Sequence, residues 1–160
     1  MAKVLVVSDT HGYNDNLIRV LEKEKPIDLL IHCGDVSMTE YELATLADVP
    51  VHVVSGNCDY FYDLSPVSIF DYHGHKIFVT HGHNYKADWG YDNLCYRAQE
   101  LKADIVMFGH THVPVYKEIE GITIINPGSL SRPRQVGGEP TYAVLEIDDQ
   151  KKTNIEIKSI

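Results

Sequence analysis

The chain has 160 residues and a formal net charge of −9 at pH 7, because 23 Asp and Glu residues outnumber 14 Lys and Arg residues. This length is typical of one domain, and 44% apolar with 23% charged residues indicates a folded protein rather than a disordered chain. The acidic balance argues against long nucleic acids and anionic membranes as partners, since both bind basic surfaces.

The first third of the chain predicts strands that alternate with helices. Short apolar runs predict buried strands, and apolar residues at helical spacing predict the helices between them. Pro26 ends the first helix, and Thr39 with Glu42 forms a capping box that opens the second. The strands are predicted at 3–8, 29–33 and 51–54, and the helices at 14–25 and from the capping box to about residue 47. This order is typical of a parallel sheet with right-handed crossovers.

The rest of the chain predicts mainly strands. A His73-Gly74 turn between two apolar runs predicts a β-hairpin. The hairpin strands are predicted at 67–72 and 75–80, a helix at 92–102, a buried strand at 104–108, and further strands at 115–119, 122–126, 141–147 and about 153–158. One long loop, Pro127–Pro140, contains Arg132 and Arg134. We expect a single α/β domain over residues 1–160, with two sheets packed face to face and helices outside.

Cysteine usage and the absence of targeting signals suggest a cytoplasmic protein. Cys33, Cys58 and Cys95 are odd in number and lack C-x-x-C spacing, which argues against a disulfide framework or a structural zinc site. No apolar run approaches the roughly 20 residues of a membrane span, and the N-terminus lacks the apolar core of a signal peptide.

Five of the predicted strands end in residues that can bind metal. These clusters are Asp9-Thr10-His11, Gly34-Asp35, Gly56-Asn57-Cys58-Asp59, His81-Gly82-His83 and Gly109-His110-Thr111-His112. Ligands of open α/β sheets bind beyond the carboxyl ends of the strands, so we expect the clusters to converge if these strands lie side by side in one orientation. Oxygen donors come from Asp9, Asp35 and Asn57, and nitrogen donors from His11, His81, His110 and His112. Seven mixed donors are too many for one tetrahedral zinc and suit two divalent cations with one bridging group.

Each cluster also has an ordinary interpretation when taken alone. Asp9 could cap the following helix, Gly34-Asp35 is a common turn, and neighbouring histidines need not be ligands. Their recurrence after five strands favours one shared site. Other hydrolase classes find no support, because the chain has no P-loop and no G-x-S-x-G motif and is too short for an amidohydrolase barrel.

With these motifs in this order, the sequence resembles the calcineurin-like metallophosphoesterase superfamily, and its length and Gly-Asn-Cys-Asp motif resemble the small prokaryotic phosphodiesterase branch. The resemblance implies a four-layer α/β/β/α sandwich. It also implies a phosphodiesterase that hydrolyses a small phosphate ester by in-line attack of a metal-bridging hydroxide. It also implies two divalent ions, with Mn²⁺ expected first and Ni²⁺, Fe²⁺, Co²⁺ or Zn²⁺ as alternatives. One ion would be held by Asp9, His11 and His112 and the other by Asn57, His81 and His110, with Asp35 bridging.

One position departs from the family pattern. Many members have a histidine where this chain has Cys58, and a thiol is a poor general acid at neutral pH. We therefore expect a weak dependence on acid catalysis and a preference for diesters with good leaving groups, with His83 taking over part of the phosphate-contacting role. Asp35 and Asn57 are the other candidate catalytic residues. We expect Asp59 to orient a neighbour rather than bind metal.

Several other polar and aromatic residues allow two interpretations. Arg132 and Arg134 could clamp a substrate phosphate or lie on a solvated loop. We expect structural roles for His32 and His52 and exposed positions for His73 and His75 at the hairpin turn. Trp89 could stack on a base or aryl group, although plain packing is the favoured interpretation.

A second class of function is open to a chain of this fold. A eukaryotic trafficking-coat subunit has a similar fold and also lacks the motif histidine, so a protein-binding scaffold with little activity is the alternative. A scaffold should expose a large apolar patch away from the metal-binding edge. We expect a small phosphate ester as partner, no membrane and no long nucleic acid, and the sequence leaves open a homo-oligomer.

Overall fold

The computed structural model describes all 160 residues and forms three helices and ten strands. The strands are β1 Ala2–Val7, β2 Leu29–His32, β3 Val51–Val53, β4 Val67–Tyr72, β5 His75–Thr80, β6 Ile105–Met107, β7 Val115–Ile119, β8 Ile122–Asn126, β9 Thr141–Ile147 and β10 Thr153–Ser159. The helices are α1 Asp15–Glu24, α2 Glu40–Ala47 and α3 Asp92–Leu101. Every predicted helix and strand is present, with bounds that differ by at most one residue.

The strands form two mixed five-stranded sheets. The first has the order β10-β9-β1-β2-β3, and the second has the order β4-β5-β6-β8-β7. Strands β1, β2 and β3 are parallel, as are β5, β6 and β8, while the outer neighbours pair antiparallel. The strands that precede the five polar clusters therefore belong to two sheets, three in the first and two in the second.

Side chains that alternate along the strands build three apolar layers. In β1, Val4 and Val6 point into the core between the two sheets, whereas Leu5 and Val7 pack with residues of α1 and α2. In the second sheet, Met107 points into the core between the sheets and Val106 packs under α3. Both faces of these strands are covered, which explains their continuous apolar runs. The predicted α/β/β/α sandwich is confirmed.

Local signals set the ends of the helices. The capping box predicted at Thr39 is formed: its hydroxyl accepts the Glu42 N–H at 3.1 Å, and the Glu42 carboxylate accepts the Thr39 N–H at 3.2 Å. Helix α1 ends at Glu24, just before Pro26, whereas Asn14 at its start makes no side-chain capping bond. None of the three helices has the length and apolar character needed to cross a membrane.

Two residues differ from their expected surroundings. His75 is half-buried rather than exposed, because Nδ1 lies 2.6 Å from the Asp104 carboxylate and Nε2 lies 2.7 Å from the Lys151 carbonyl oxygen. Trp89 is 88% exposed, so the packing role favoured for it was wrong. Both outcomes depend on partners far away in sequence. His32 and His52 do make internal contacts: His32 is fully buried, and His52 stacks on Phe70 at 3.7 Å between ring centroids.

A buried carboxylate joins α1 to the first sheet. The Glu24 carboxylate accepts the Tyr142 hydroxyl at 2.7 Å and lies 3.1 Å from both the Lys3 and Lys158 ammonium groups. Burial opposes its ionisation, but these three donors lower the pKa of Glu24 to about 2. The stability that it contributes is therefore complete above its ordinary pKa of 4.5 and is lost as the pH falls towards 2.

We expect Glu24→Gln to lower the free energy of unfolding at pH 7 by about 2 kcal/mol, because the half-buried Lys3 and Lys158 ammonium groups lose their counter-charge. Urea unfolding at pH 7 and at pH 3 measures this, and the difference from wild type should shrink at pH 3. Glu22→Gln is the matched control, since Glu22 is exposed on the same helix and pairs only with Lys25. Equal effects of the two substitutions would contradict this account.

Candidate metal centre

The loops after β1, β2, β3, β5 and β6 meet at the edge where the carboxyl ends of both sheets come together. Five of the seven predicted ligands have a positive φ between 50° and 70°, a conformation that costs energy for residues other than glycine: Asp9, His11, Asp35, His110 and His112. Strain repeated at the residues that converge here is typical of a functional site.

Three glycines let the polar loops approach closely. A Cβ atom at Gly109 would collide with the Ser8 hydroxyl and lie 2.6 Å from Asp9 Oδ2. A Cβ atom at Gly56 would collide with the Asp35 carboxylate. At Gly34 it would lie 2.6 Å from His81 Nδ1. Space, rather than backbone freedom, explains Gly56 and Gly109, because neither has a positive φ.

The structure brings Asp9, His11 and His112 together, with one donor atom of each within 4.8 Å of the others. Asp9 Oδ1 lies 3.2 Å from His112 Nε2 and 3.8 Å from His11 Nε2, and the two imidazole nitrogens are 3.3 Å apart. His112 Nδ1 donates to the Arg132 carbonyl oxygen at 2.6 Å, which turns Nε2 towards the aspartate. This is the first of the two predicted ligand groups.

Asn57, His81 and His110 are the residues predicted for the second ion, and His81 Nε2 also lies 3.7 Å from Asp9 Oδ1. His110 Nδ1 is 3.2 Å from Asn57 Oδ1, and the His81 and His110 rings are 5.2 Å apart. His81 Nδ1 donates to the Cys33 carbonyl oxygen at 2.7 Å, so Nε2 faces the cluster. Of the three, only His81 is fully buried, and their grouping around a second ion stays a prediction.

Asp35 contacts one histidine of each group. Its Oδ2 atom lies 3.2 Å from His81 Nε2 and 3.7 Å from His11 Nε2. Its other oxygen accepts the Cys58 backbone N–H at 2.8 Å, which fixes the plane of the carboxylate. Asp9 Oδ1 also lies near both groups, at 3.7 Å from His81 Nε2, so the bridging role of Asp35 stays a prediction.

The imidazole nitrogens and carboxylate oxygens that face one another in the cluster are arranged to bind a cation. His81 and His112 each use Nδ1–H to donate to a backbone carbonyl, so a neutral ring presents its Nε2 lone pair to a carboxylate oxygen. Asp9 Oδ1 and His81 Nε2 are buried and have no hydrogen-bond partner. Unpaired buried acceptors are costly, and a bound cation would satisfy them. The residues present therefore fit divalent metal ions.

Electrostatics keep both carboxylates charged. Burial by itself would raise the pKa of Asp9, but the adjacent imidazoles of His112 and His81 and the Ser8 hydroxyl, which donates to Oδ2 at 2.6 Å, hold the pKa below its usual value. Burial opposes ionisation of Asp35 too, and its contacts with His81 and the Cys58 N–H hold its pKa well below the usual value. The anionic oxygens that a cation needs are thus available at neutral pH.

Neighbouring polar residues hold the ligands in place. His32 accepts the Gly34 N–H on Nδ1 at 3.1 Å and lies 3.0 Å from the Thr10 hydroxyl, and burial lowers its pKa to about 4, so its ring is neutral. Asp59 accepts three backbone N–H groups, those of Val36, Ser37 and Gly56. Neither residue faces the cluster, which agrees with a supporting role for both.

The other candidate residues lie around this cluster. His83 Nδ1 is buried and unpaired, its ring is 5.4 Å from that of His81, and burial lowers its pKa. Cys58 is exposed, and its Sγ lies within 4.8 Å of donor atoms of His11 and Asp35. Arg132 is exposed, with its guanidinium 5.6 Å from the centre of the Tyr13 ring.

Three further residues lie near the cluster: Arg134, Ser129 and Asp88. The last two were not predicted from the sequence. The Arg134 backbone N–H donates to the His112 carbonyl oxygen at 3.1 Å, and its side chain is exposed. The Ser129 hydroxyl donates to the Asp9 carbonyl oxygen at 2.7 Å, and the Asp88 carboxylate lies 2.9 Å from His110 Nε2. Neither contact has a local sequence signal, because 120 and 22 residues separate the partners.

Comparisons with known proteins agree with this geometry. Residues 2–150 match the family model of the calcineurin-like phosphoesterase superfamily domain. The chain is 38% identical over 151 residues to the probable metallophosphoesterase YsnB of Bacillus subtilis (strain 168), a match that covers 94% of this chain and 87% of that protein. It is 32% identical over 173 residues to phosphodiesterase YfcE of Escherichia coli (strain K12), covering 92% of this chain and 89% of that protein.

Solved structures extend the comparison to the fold. A predicted phosphoesterase from Streptococcus pneumoniae TIGR4 superposes with a TM-score of 0.84 at 34% identity, covering 99% of this chain and 91% of that one. Vps29 from Entamoeba histolytica, in a single-mutant form, superposes with a TM-score of 0.76 at 23% identity, covering 99% of each chain. The second likeness is one of fold alone.

Proposed function

The chain belongs to the calcineurin-like phosphoesterase superfamily, and we propose that it is a metal-dependent phosphodiesterase that hydrolyses a small phosphate ester. The observation that carries this proposal is the pair of buried acceptors, Asp9 Oδ1 and His81 Nε2, which have no hydrogen-bond partner inside a cluster of seven metal-capable residues. A scaffold has no need to keep such unpaired groups in its interior.

In the proposed enzyme, Asp9, His11 and His112 would hold one divalent ion, Asn57, His81 and His110 would hold the second, and Asp35 would serve both. The mixed oxygen and nitrogen donors suit Mn²⁺, with Ni²⁺, Fe²⁺, Co²⁺ and Zn²⁺ as alternatives. Two such ions would lower the pKa of a shared water and neutralise phosphate oxygens during in-line attack.

The protein's own residues orient the reactants. The Asp35 carboxylate, fixed by the Cys58 N–H, sets the separation of the two groups. Asn57 offers a neutral oxygen, which leaves the second ion more electrophilic than a carboxylate would. His83 lies beside His81 with an unpaired Nδ1, and we assign it a contact with a phosphate oxygen.

Charge selects a small substrate. The chain is acidic overall, at −9, which disfavours long nucleic acids. At the site itself, two divalent ions would outweigh the charges of Asp9 and Asp35, so a single phosphate ester is attracted there.

The three free cysteines suit a reducing compartment such as the cytoplasm.

The test is a screen of the purified protein against aryl phosphodiesters and phosphomonoesters with Mn²⁺, Ni²⁺, Co²⁺, Fe²⁺ and Zn²⁺ in turn. We expect diester hydrolysis that a chelator removes and added metal restores. The absence of hydrolysis with all five metals would overturn the proposal and favour the alternative of a protein-binding scaffold. The likeness of this chain to Vps29 is one of fold alone.

Cys58 makes a more specific prediction about the leaving group. A thiol protonates a leaving oxygen poorly, so wild type should depend steeply on leaving-group pKa. In Cys58→His an imidazole can act as general acid, and the slope of log kcat/KM against leaving-group pKa across aryl phosphodiesters should become shallower. Cys58→Ser is the control and should keep the wild-type slope. An unchanged slope in Cys58→His would refute this role for the position.

A further inference from the structure

Three histidines of the cluster, His81, His110 and His112, share one arrangement. In each, one nitrogen faces the cluster and the other faces an acceptor. For His81 and His112 the acceptor is a backbone carbonyl oxygen, reached from Nδ1 at 2.7 Å and 2.6 Å. For His110 the acceptor is the carboxylate of Asp88, reached from Nε2 at 2.9 Å. His110 therefore presents the opposite nitrogen, Nδ1, to the cluster.

The carboxylate decides which nitrogen is free. An ionised carboxylate can accept hydrogen bonds but cannot donate them. The contact with Asp88 therefore places the ring proton of His110 on Nε2 and leaves the lone pair on Nδ1. That atom lies 3.2 Å from Asn57 Oδ1, on the side of the second ligand group. A carboxylate behind an imidazole also makes the imidazole a stronger donor than a carbonyl oxygen does.

The segment around Asp88 is anchored although its side chain is half exposed. Asp88 lies in a short 3-10 turn, Ala87–Trp89, whose first residue is 3% exposed. Ala87 packs in the apolar cluster beneath α3, which includes Phe78 and Phe108. The Trp89 N–H donates to the Lys86 carbonyl oxygen at 2.9 Å. Buried packing thus holds the backbone that carries the carboxylate.

We infer that Asp88 is a positioning residue for the second metal ion, acting through the orientation and donor strength of His110. The inference rests on the proposed function, since it requires that the second group binds a metal. The inference also predicts that the two ligand groups differ in their dependence on Asp88. His11 and His112 do not contact Asp88, so removal of its carboxylate should weaken one ion and leave the other unchanged.

The experiment is a Mn²⁺ titration of the metal-free protein in competition with a fluorescent chelator, fitted to two binding constants. Wild type should take up two ions. Asp88→Ala should weaken one constant by about 10- to 100-fold and leave the other within error. Asp88→Asn keeps an acceptor oxygen without the charge, so its affected binding constant should lie between those of wild type and Asp88→Ala. Asp71→Ala, at an exposed position on β4, is the matched control and should behave as wild type.

The outcomes separate this inference from the function beneath it. If wild type binds two ions and Asp88→Ala binds them with unchanged constants, Asp88 has no positioning role and the proposed function stands. Equal weakening of both constants would show a general structural effect and would also overturn the inference. If wild type binds neither Mn²⁺ nor, in the same titration, any of Ni²⁺, Fe²⁺, Co²⁺ and Zn²⁺, both proposals fail. Far-UV circular dichroism of each variant checks that the fold is retained.

Discussion

Asp35→Asn should reduce kcat/KM for phosphodiester hydrolysis by more than about 100-fold. In the proposed site Asp35 is the bridging ligand, and its Oδ2 atom lies 3.2 Å from His81 Nε2 and 3.7 Å from His11 Nε2. An amide at this position keeps the oxygen that accepts the Cys58 N–H but removes the charge that two cations would share. The loss should therefore be chemical rather than structural.

Steady-state kinetics with a saturating divalent metal measure this effect, and thermal unfolding of the metal-free variant shows whether the fold survives. Asp71→Asn is the matched control, because Asp71 is exposed on β4 and makes no side-chain hydrogen bond. If Asp35→Asn retained more than about a tenth of wild-type activity, Asp35 would not be the bridging ligand.

Gly109→Ala should abolish activity by a different route. The added Cβ atom would collide with the Ser8 hydroxyl and lie 2.6 Å from Asp9 Oδ2, which also accepts the His110 N–H at 3.0 Å. Because both Ser8 and Asp9 are fully buried, the methyl group can be accommodated only if the aspartate moves. We expect a loss of about 1–3 kcal/mol in the free energy of unfolding and more than about a 100-fold loss of activity.

Gly137→Ala gives a control with the opposite properties. Gly137 has a φ of +93° but nothing within 4 Å of the position of an added Cβ atom. Its substitution should cost about 1 kcal/mol in backbone strain and leave activity unchanged. Urea unfolding and kinetics on both variants make the comparison. Equal activity in the two would mean that Asp9 tolerates displacement and is not a tightly placed ligand.

Much of the fold could be predicted because its signals are local. Apolar runs, Pro26 and the Thr39 capping box set the positions of strands and helices to within one residue. The candidate ligands were found the same way, because each follows a strand, and strands that run parallel bring their carboxyl ends to one edge. The His73-Gly74 turn predicted the β4–β5 hairpin for the same reason.

The details of the cluster depend on contacts between distant residues. Which histidine nitrogen faces a metal follows from its second partner, such as Cys33 for His81 or Asp88 for His110. The half-buried position of His75 follows from Asp104 and Lys151. None of these pairs has a periodic pattern that a single sequence could reveal.

Thus the sequence by itself determined the order of the elements and the metal-capable residue types that follow the strands, because both depend on residues that are neighbours along the chain. The tertiary structure decided how closely these side chains approach one another and which acceptors orient the histidine rings. The physical reason is that a hydrogen bond or an ion pair depends on distance and angle in space, and these are set only when two sheets pack together. Asp9 and Ser129, joined across 120 residues, are one example.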